Sequence, residues 1–278
     1  MSDTPILPTN WRLSDPALIA DTFSSRIWRV TREDGTFAVV KALKDFDDYE
    51  DELRGAHLLD WRDGVGMVKL LAVEGKTMLL EYADGRLLTQ ELNEKGDRHA
   101  TEIAAEVMAA IHSPSERPAP PDLQPLRERF TALFNKARFD RNAGGKSIYI
   151  EAAEVAEALL ANPYSEKPLH GDLHHDNILM SGRGWLAIDP KGVLGDPAFD
   201  AANLFYNPVD RLDLAMEHER IAHMADVFSR ALRQSERAIL DHAFAYGCLS
   251  SAWHAGDGDT NNEQAGLAIA RAIRIVTG

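Results

Sequence analysis

The sequence is poor in cysteine and in long apolar runs. Its single cysteine, Cys248, excludes an internal disulfide and a cysteine-based zinc site. We therefore expect a reducing setting. No run approaches the roughly 18 apolar residues of a membrane span, and residues 1–11 lack the basic and apolar regions of a signal peptide. These absences predict a cytoplasmic protein without a membrane partner.

Basic residues are also scarce. The chain has 30 Lys and Arg against 44 Asp and Glu, which gives a formal net charge of -14. Because contacts to a phosphate backbone require Lys and Arg, this charge argues against nucleic acid as a partner. It suits a cationic ligand, although solubility alone also explains a charge that is spread along the whole chain. Residues 238–270 are a local exception, with acidic residues but no Lys or Arg.

The first third of the chain is rich in β-forming residues, and the remainder is mostly helical in pattern. We expect strands at 26–30, 37–43, 67–73 and 77–82, and a helix at about 47–62. We expect later helices at 100–112, 126–142, 147–161, 198–206, 221–232, 238–254 and 268–276, with short strands at 178–180 and 185–188. This order predicts an α+β, protein-kinase-like bilobal fold. The nucleotide-binding lobe is assigned to residues 1–84 and the catalytic and acceptor-binding lobe to 85–278.

One segment concentrates residues that can carry chemistry. Residues 170–177 read HGDLHHDN, and the short strand that follows ends at Asp189. Asp172 and Asn177 reproduce the D-x-x-x-x-N spacing of the kinase catalytic loop. Phosphoryl transfer needs positioned groups and a divalent metal more than covalent help from the protein. We expect Asp172 to take the acceptor proton, and Asn177 and Asp189 to hold Mg²⁺ through oxygen atoms. Any one of these residues alone would more often be a cap or a surface group.

The apolar strand at residues 37–41 ends in Lys41, as in the V-A-I-K pattern. An ammonium on an apolar strand is costly unless it meets an anion. Triphosphate oxygens and a carboxylate of the next helix are both available. Glu52, on the apolar face of that helix, is the preferred partner, with Asp51 and Glu50 as weaker candidates. The competing interpretation is an edge-strand lysine that extends into solvent.

The phosphate-covering loop is the weakest feature, because the sequence contains no G-x-G-x-x-G pattern. Ser24 and Ser25 lie in the turn between two strand-like segments. Their hydroxyl and backbone N–H groups are candidates for phosphate binding. An ordinary hairpin turn explains the same residues equally well.

The histidines permit another interpretation, a metal-dependent hydrolase. Five potential ligands crowd together in the sequence: His170, Asp172, His174, His175 and Asp176. His and carboxylate groups bind zinc or a metal pair in some hydrolases. This hypothesis leaves Lys41, Asn177 and Asp189 without a role, and it lacks a second His/Asp cluster.

The motif residues resemble the signature of the aminoglycoside phosphotransferase superfamily, with LHGDLHHDN at 169–177 followed by IDP at 188–190. Other segments are similar to streptomycin kinases of the aminoglycoside/hydroxyurea resistance group: residues 18–25, 51–56, 183–186, 201–206 and 245–250. The resemblance implies ATP and Mg²⁺ as cofactors. It also implies antibiotic resistance by transfer of phosphate to the 6-hydroxyl of streptomycin.

Matched positions in the resemblance imply individual roles. They imply Asp172 as the base, Asn177 and Asp189 as metal ligands, and Lys41 with Glu52 on the phosphates. They also imply that Glu81 and Ala83 contact adenine through their backbone groups. The serine-containing turn is normal in this group. We expect a monomer.

The acceptor is predicted to be a small cationic molecule, an aminoglycoside. Streptomycin carries two guanidinium groups, which carboxylates can bind bidentately. The candidate contacts are Asp196, Asp200, Trp253, His254, Asp257 and Asp259. Asp196 and Asp200 are alternatively explained as braces of the metal loop, and Asp257 and Asp259 as solvated loop residues. Hydroxyurea, another amino-cyclitol or a metabolite sugar is the alternative acceptor.

Overall fold

The structure, a computed structural model, describes residues 7–45 and 49–278. The predicted helix start at residue 47 and the first six residues of the assigned nucleotide-binding lobe lie outside these ranges. The N-terminal part is an antiparallel sheet of order β1-β2-β3-β5-β4 with one helix against it. Its elements are β1 (Ser14–Asp21), β2 (Ser25–Thr31), β3 (Phe37–Leu43), α1 (Tyr49–Arg62), β4 (Leu70–Glu74) and β5 (Thr77–Glu81).

Strand β3 lies at the centre of this sheet. Its Ala38 and Val40 are fully buried, as expected for alternating positions on the covered face. Lys41 pairs with Ile27 of β2 on one side and with Met78 of β5 on the other. The edge-strand interpretation of Lys41 is therefore wrong, and its ammonium needs a partner inside the protein.

The C-terminal part is mostly helical and contains the larger hydrophobic core. Its helices are α2 (Leu88–Lys95), α3 (Asp97–Ile111), α4 (Leu126–Arg129), α5 (Thr131–Asn142), α6 (Ile148–Ala161), α7 (Ala198–Ala202), α8 (Leu212–Ala215), α9 (His218–Leu232), α10 (Glu236–Gly256) and α11 (Thr260–Thr277). Short strands β6 (Gln124–Pro125), β7 (Lys167–Leu169) and β10 (Val193–Gly195) form one sheet, and β8 (Ile178–Ser181) with β9 (Gly184–Ala187) forms a hairpin. These strands frame the segment that carries the motif residues.

Several helical elements differ from the prediction, including the unpredicted α8 and the predicted helix 198–206, of which α7 covers only the first five residues. Helix α2 was not predicted, because it has few apolar residues and buries mainly Leu88 and Leu92. Helix α11 begins at Thr260 rather than 268, since its first two turns are polar and its first buried residue is Leu267. The predicted helix 126–142 is divided at Phe130 into α4 and α5.

The two parts are joined by a short segment. Strand β5 ends at Glu81 and α2 begins at Leu88, so the assigned division after residue 84 falls in this connection. Within the described ranges, the helices are too short or too polar to span a lipid bilayer.

Candidate active site

The loop from His170 to Asn177 is anchored by a buried carboxylate. Asp200, only 1% exposed, accepts hydrogen bonds from the backbone N–H groups of His170 and Gly171, each at 2.8 Å. His112 Nε2 lies 3.1 Å from the same carboxylate. Burial alone would raise the pKa of Asp200, but the contact and charge of His112, helped by His170 and the loop N–H, lower it. Asp200 therefore stays ionised and fixes the start of the loop.

Asp172 is the partly exposed acid of this loop, with 33% of its side chain accessible. Asn203 Nδ2 donates to Asp172 Oδ1 at 3.0 Å, which orients the carboxylate. Asn177 Nδ2 donates to the backbone oxygen of Asp172 at 2.9 Å. A carboxylate that is oriented through one oxygen can accept a proton through the other.

Three hydrogen bonds hold the segment after β9 against the catalytic loop. Ile188 N donates to Asn177 O at 2.9 Å, Lys191 N to His170 O at 2.7 Å, and His170 Nε2 to Ile188 O at 2.8 Å. Between them, Asp189 has a φ of 59°, a left-handed conformation that Asp adopts more readily than most residues. The segment therefore places Asp189 and Lys191 beside the catalytic loop.

Two lysines and two carboxylates meet where the two parts of the chain join, and they form the charge cluster of Lys41, Glu52, Asp189 and Lys191. Lys41 Nζ contacts both Glu52 Oε2 and Asp189 Oδ1. Lys191 Nζ donates to Glu52 Oε1 at 2.9 Å and to Asp189 Oδ2 at 3.1 Å. Each carboxylate thus bridges both ammonium groups, which offsets the cost of burying four charges.

The charge cluster shifts the pKa values of Asp189 and Lys191. Burial would raise the pKa of Asp189, but the positive charges of Lys41 and Lys191 hold it well below its ordinary value. Burial would likewise lower the pKa of Lys191, but Asp189 and Glu52, with a smaller contribution from Asp172, raise it instead. Asp189 is therefore anionic and Lys191 cationic at neutral pH.

Two glycines allow α1 to approach the segment that carries Asp189. A Cβ at Gly55 would lie 1.9 Å from the backbone oxygen of Pro190, and one at Gly192 would lie 2.7 Å from the backbone of Arg54. Only a residue without a side chain fits at such distances. Backbone packs on backbone here, so the helix of Glu52 is fixed against the Asp189 segment.

A cavity of about 470 Å³ opens beside the charge cluster. Lys41, Glu52, Asn177 and Asp189 line its polar end. The rest of its wall is largely apolar and includes Ile27, Val39, Leu59, Met78 and Leu179. An apolar slot with charged groups at one end suits a flat aromatic ligand with an anionic tail.

Asn177 and Asp189 present the oxygen atoms that a hard divalent cation prefers. The Asn177 Nδ2 group is used by its hydrogen bond to Asp172, which leaves the amide oxygen for a ligand. The Asp189 carboxylate is 34% exposed and lines the same cavity. This donor set fits Mg²⁺, which binds carboxylate and carbonyl oxygens together with phosphate.

Glu81 and Ala83 both line the apolar part of the cavity. The Glu81 carboxylate accepts from Arg183 Nε at 2.9 Å and Nη2 at 2.7 Å, and from Lys69 N at 3.0 Å. Because its side chain is occupied, Glu81 can contribute only backbone atoms to a ligand. This geometry agrees with the expected backbone contact, which stays a prediction.

The turn before β2 places its hydroxyl groups differently from the prediction. Ser25 is 1% exposed, and its Oγ lies 3.2 Å from Thr22 Oγ1 while its N–H donates to the same atom at 3.0 Å. Thr22 rather than Ser25 lines the cavity. The expectation of a Ser25 hydroxyl on phosphate is therefore corrected, since that hydroxyl closes the turn. Ser24 is half-buried, and its backbone oxygen accepts from Lys44 N at 2.8 Å.

Asp196 and Asp200 do not face an acceptor. Asp196 is 3% exposed and accepts from Tyr164 N at 2.7 Å, Ala198 N at 3.0 Å and Gln234 Nε2 at 2.7 Å. Asp200 is committed to the catalytic loop. The substrate contact predicted for both is corrected, because buried carboxylates with filled hydrogen-bonding capacity act as braces.

Trp253 is half-buried near the end of α10. Tyr246, two helical turns earlier on the same face, has its pKa raised by burial and by the charge of Asp172. The Arg129 guanidinium lies 5.4 Å from the Trp253 ring centre, and its Nη1 donates to Asp51 Oδ2 at 2.7 Å. The Trp253 ring thus already contacts one cation of the protein, and its predicted contact with the acceptor stays a prediction.

His254, Asp257 and Asp259 lie at the corner between α10 and α11. Asp259 accepts from Asn262 N at 3.2 Å and caps α11, and His254 Nδ1 lies 3.6 Å from it. Asp257 is exposed at the end of α10. The predicted solvated loop is thus a helix cap, and an acceptor contact from any of the three stays a prediction.

The comparison with known protein families decides the classification. Residues 10–258 match the family described as aminoglycoside/hydroxyurea antibiotic resistance kinase. The chain belongs to this family. The resemblance inferred from the sequence is thereby confirmed.

Three relatives of this chain differ in the acceptor, or in the hydroxyl position, that their names give. The chain is 39% identical to a streptomycin 3''-kinase of Klebsiella pneumoniae, over 94% of this chain and 95% of the relative. It is 29% identical to a streptomycin 6-kinase of Streptomyces griseus, with 95% and 85% covered. It is also 29% identical to a hydroxyurea phosphotransferase of Kitasatospora aureofaciens, with 94% and 74% covered.

Solved structures of other kinases share the fold. A choline/ethanolamine kinase family protein from Mesorhizobium loti superposes with a TM-score of 0.65 at 14% identity, covering 98% of this chain and 96% of that one. The aminoglycoside phosphotransferase APH(4)-Ia, in complex with AMP-PNP and hygromycin B, gives 0.62 at 16% identity, with 94% of each chain covered. The predicted α+β kinase-like fold is confirmed.

The histidines of the kinase do not form a metal site. His170 is fully buried between backbone partners, and His175 is 1% exposed with its pKa lowered to about 3 by burial and by the charges of Arg220 and His174. Among residues 7–45 and 49–278, no three His, Cys, Asp or Glu side chains are arranged to hold a metal ion. The hydrolase hypothesis loses the cluster on which it depended.

Sequence reasoning missed several residues of the kinase site. Lys191 completes the charge cluster, Asn203 orients Asp172, and Arg183 occupies the Glu81 carboxylate. Asn203 and Arg183 both fall in segments that resemble the family. Their roles depend on contacts between distant parts of the chain, so spacing alone could not reveal them. The one local signal concerns Lys191: it follows the predicted metal ligand Asp189 by two residues, so it could have been expected near the site.

Proposed function

We propose that this protein transfers the γ-phosphoryl group of ATP to a hydroxyl of streptomycin and thereby confers resistance to it. One observation carries the proposal: Lys41, Glu52, Asn177 and Asp189 line one end of a single cavity, with Asp172 hydrogen-bonded to Asn177 beside it. Kinases need such a convergence of cation, metal ligands and base.

ATP as the donor is supported by the shape of the cavity. Its apolar wall offers a surface for a purine, while Lys41 offers an ammonium to the triphosphate at the polar end. The complex of APH(4)-Ia with AMP-PNP, on the same fold, agrees with this assignment. When bound to Asn177 and Asp189, Mg²⁺ would neutralise charge on the phosphate oxygens.

The protein groups act on the acceptor as follows. Asp172, held by Asn203, accepts the proton of the attacking hydroxyl. The bond between the γ-phosphorus and the oxygen bridging it to ADP breaks, and a bond from that phosphorus to the acceptor oxygen forms. The products are ADP and a phosphate monoester, with the proton on Asp172 released to solvent.

Streptomycin as the acceptor is supported by relatives at 39% and 29% identity that are streptomycin kinases. Their hydroxyl positions differ. The higher identity to the 3''-kinase favours the 3''-hydroxyl over the 6-hydroxyl that the sequence resemblance implied. Trp253 is the predicted acceptor contact whose aromatic ring could meet a guanidinium group of streptomycin, since rings of this kind bind cations.

Hydroxyurea is the second candidate acceptor, because a relative at 29% identity is a hydroxyurea phosphotransferase. Hydroxyurea is small and uncharged, so it would make little use of an aromatic ring that binds cations. The geometry near Trp253 therefore ranks it below streptomycin.

An acceptor panel tests the proposal. Purified protein is incubated with γ-labelled ATP, Mg²⁺ and either streptomycin, dihydrostreptomycin, hydroxyurea or kanamycin, with Asp172→Asn as the inactive control. We expect labelled product with the two streptomycins, and ³¹P–¹H correlation NMR identifies the phosphorylated hydroxyl. Turnover of hydroxyurea alone would identify hydroxyurea, the second candidate, as the acceptor. A phosphate on the 6-hydroxyl would instead support the position that the sequence resemblance implied.

A further inference from the structure

The two lysines of the charge cluster are not equivalent. Lys41 comes from the sheet and lines the nucleotide cavity, together with Glu52 and Asp189. Lys191 binds the same two carboxylates through their other oxygens, but it is not part of the wall of that cavity. The two ammonium groups therefore contact different oxygens of the same carboxylates, and only Lys41 is part of the cavity wall.

Lys191 is also tied to the catalytic loop. Its backbone N–H donates to His170 O at 2.7 Å, two residues before Asp172. Its ammonium donates to Glu52 Oε1 at 2.9 Å and to Asp189 Oδ2 at 3.1 Å. The Lys191 backbone is thus tied to the loop that carries Asp172, while its ammonium contacts two carboxylates that line the nucleotide cavity.

Lys191 has hydrogen-bonding capacity left. A lysine ammonium has three N–H donors, and Lys191 uses two of them on Glu52 and Asp189. Within residues 7–45 and 49–278, its ammonium makes no other hydrogen bond. Its side chain is 15% exposed, so the ammonium is largely desolvated and its charge is weakly screened.

We infer that Lys191 binds the phosphoryl group during transfer, through a non-bridging oxygen, on the acceptor side of the charge cluster. The inference rests on the proposed phosphoryl transfer and adds a catalytic residue to it. As the γ-phosphorus leaves the ADP oxygen and bonds to the acceptor oxygen, negative charge on its non-bridging oxygens is met by this ammonium. The acceptor proton still goes to Asp172, so Lys191 neither gains nor loses a proton in the reaction.

This role makes Lys191 matter more in the transition state than in the nucleotide complex. Removing one donor that meets developing charge typically costs about 10²–10³ in kcat. A residue that only braced Asp189 would instead weaken nucleotide binding, because Asp189 belongs to the nucleotide site. Binding of the phosphoryl group in transit would lower mainly the affinity for the transition state. Bracing of Asp189 alone would lower the affinity for the nucleotide as well.

The experiment compares Lys191→Met and Lys191→Gln with the matched surface control Lys76→Met, whose ion pair with Asp45 is exposed. Titration calorimetry measures the Kd of AMP-PNP and of ADP with aluminium fluoride, which mimics the phosphoryl group in transit, both with Mg²⁺. We expect AMP-PNP affinity within about threefold of the parent protein. We expect ADP–aluminium fluoride affinity and kcat to fall together by about 10²–10³. Lys76→Met should match the parent.

Equal loss of both affinities, or an unchanged kcat, would overturn the inference. Circular dichroism melts check that each variant is folded. Lys191→Gln keeps a side-chain amide that can donate to a carboxylate. If Lys191→Met unfolds, the two affinities and kcat are measured on Lys191→Gln instead. Neither titration contains an acceptor. A parent protein that binds both nucleotides but fails on streptomycin would therefore refute the proposed acceptor while still testing Lys191.

Discussion

The catalytic loop and the corner between α10 and α11 are built in opposite ways. The loop is fixed by Asp200, which is 1% exposed and accepts two backbone N–H groups. At the corner, His254 and Asp259 have side chains that are 38% and 39% exposed. Buried, fully paired polar groups define one arrangement, whereas exposed pairs are weak and replaceable. The reaction machinery is rigid, and the surface proposed to meet the acceptor is free to differ between kinases of the family.

The largest effect should come from the base of the catalytic loop. Asp172→Asn keeps the shape and the Asn203 contact but cannot accept a proton. We expect kcat to fall by about 10²–10⁴, with AMP-PNP affinity almost unchanged by calorimetry. If the variant kept the kcat of the parent protein, Asp172 would not be the base. The comparison between the catalytic loop and the corner would then be weakened as well.

The second effect concerns stability. Asp200→Asn removes the charge that two loop N–H groups and His112 face, and breaking a buried pair in this way costs about 3–5 kcal/mol. Urea unfolding should show this loss. The matched change at the corner, Asp259→Asn, should cost under about 1 kcal/mol, because Asn is also a good helix cap. Equal losses at the two sites would contradict the comparison.

The third effect is a dependence of stability on pH. The pKa of His175 is about 3 in the folded protein, against an ordinary value of 6.5. Below pH 6.5 the unfolded chain binds this proton and the folded one does not, so stability should fall as pH falls from 6.5 towards 3. The contribution is about 1 kcal/mol per pH unit.

His175→Gln tests this by flattening the slope of the unfolding free energy between pH 7 and 5, measured without metal. His254→Gln, at the exposed corner, serves as the control and should follow the parent. A slope that survives His175→Gln would assign the pH dependence to another group.

The smallest effect should appear at the corner itself. Trp253→Ala removes an aromatic face that holds a guanidinium, and such contacts contribute about 0.5–2 kcal/mol. We expect the KM for streptomycin to rise about fivefold to tenfold, with the KM for ATP unchanged. Steady-state kinetics with each substrate varied in turn would show this, and a change confined to ATP would place Trp253 outside the acceptor site.

Local patterns predicted the catalytic loop well because its residues are close in sequence. Asp172 and Asn177 share one motif, and Lys41 ends a recognisable strand. The residue that orients Asp172 could not be predicted this way, since Asn203 lies 31 residues further along the chain and spacing does not reveal their contact. The substrate contacts assigned to Asp196 and Asp200 were wrong for a related reason, because a sequence shows that an acid is present but not whether it is buried.

The contact between Gly55 and Pro190 restricts the movement of the helix that carries Glu52. A Cβ at residue 55 would lie 1.9 Å from the backbone oxygen of Pro190, so α1 can rotate or slide only by breaking this seam. Glu52 is carried on that helix and cannot swing away alone. Tight packing, rather than a movable helix, keeps the lysine–carboxylate arrangement assembled before any ligand arrives.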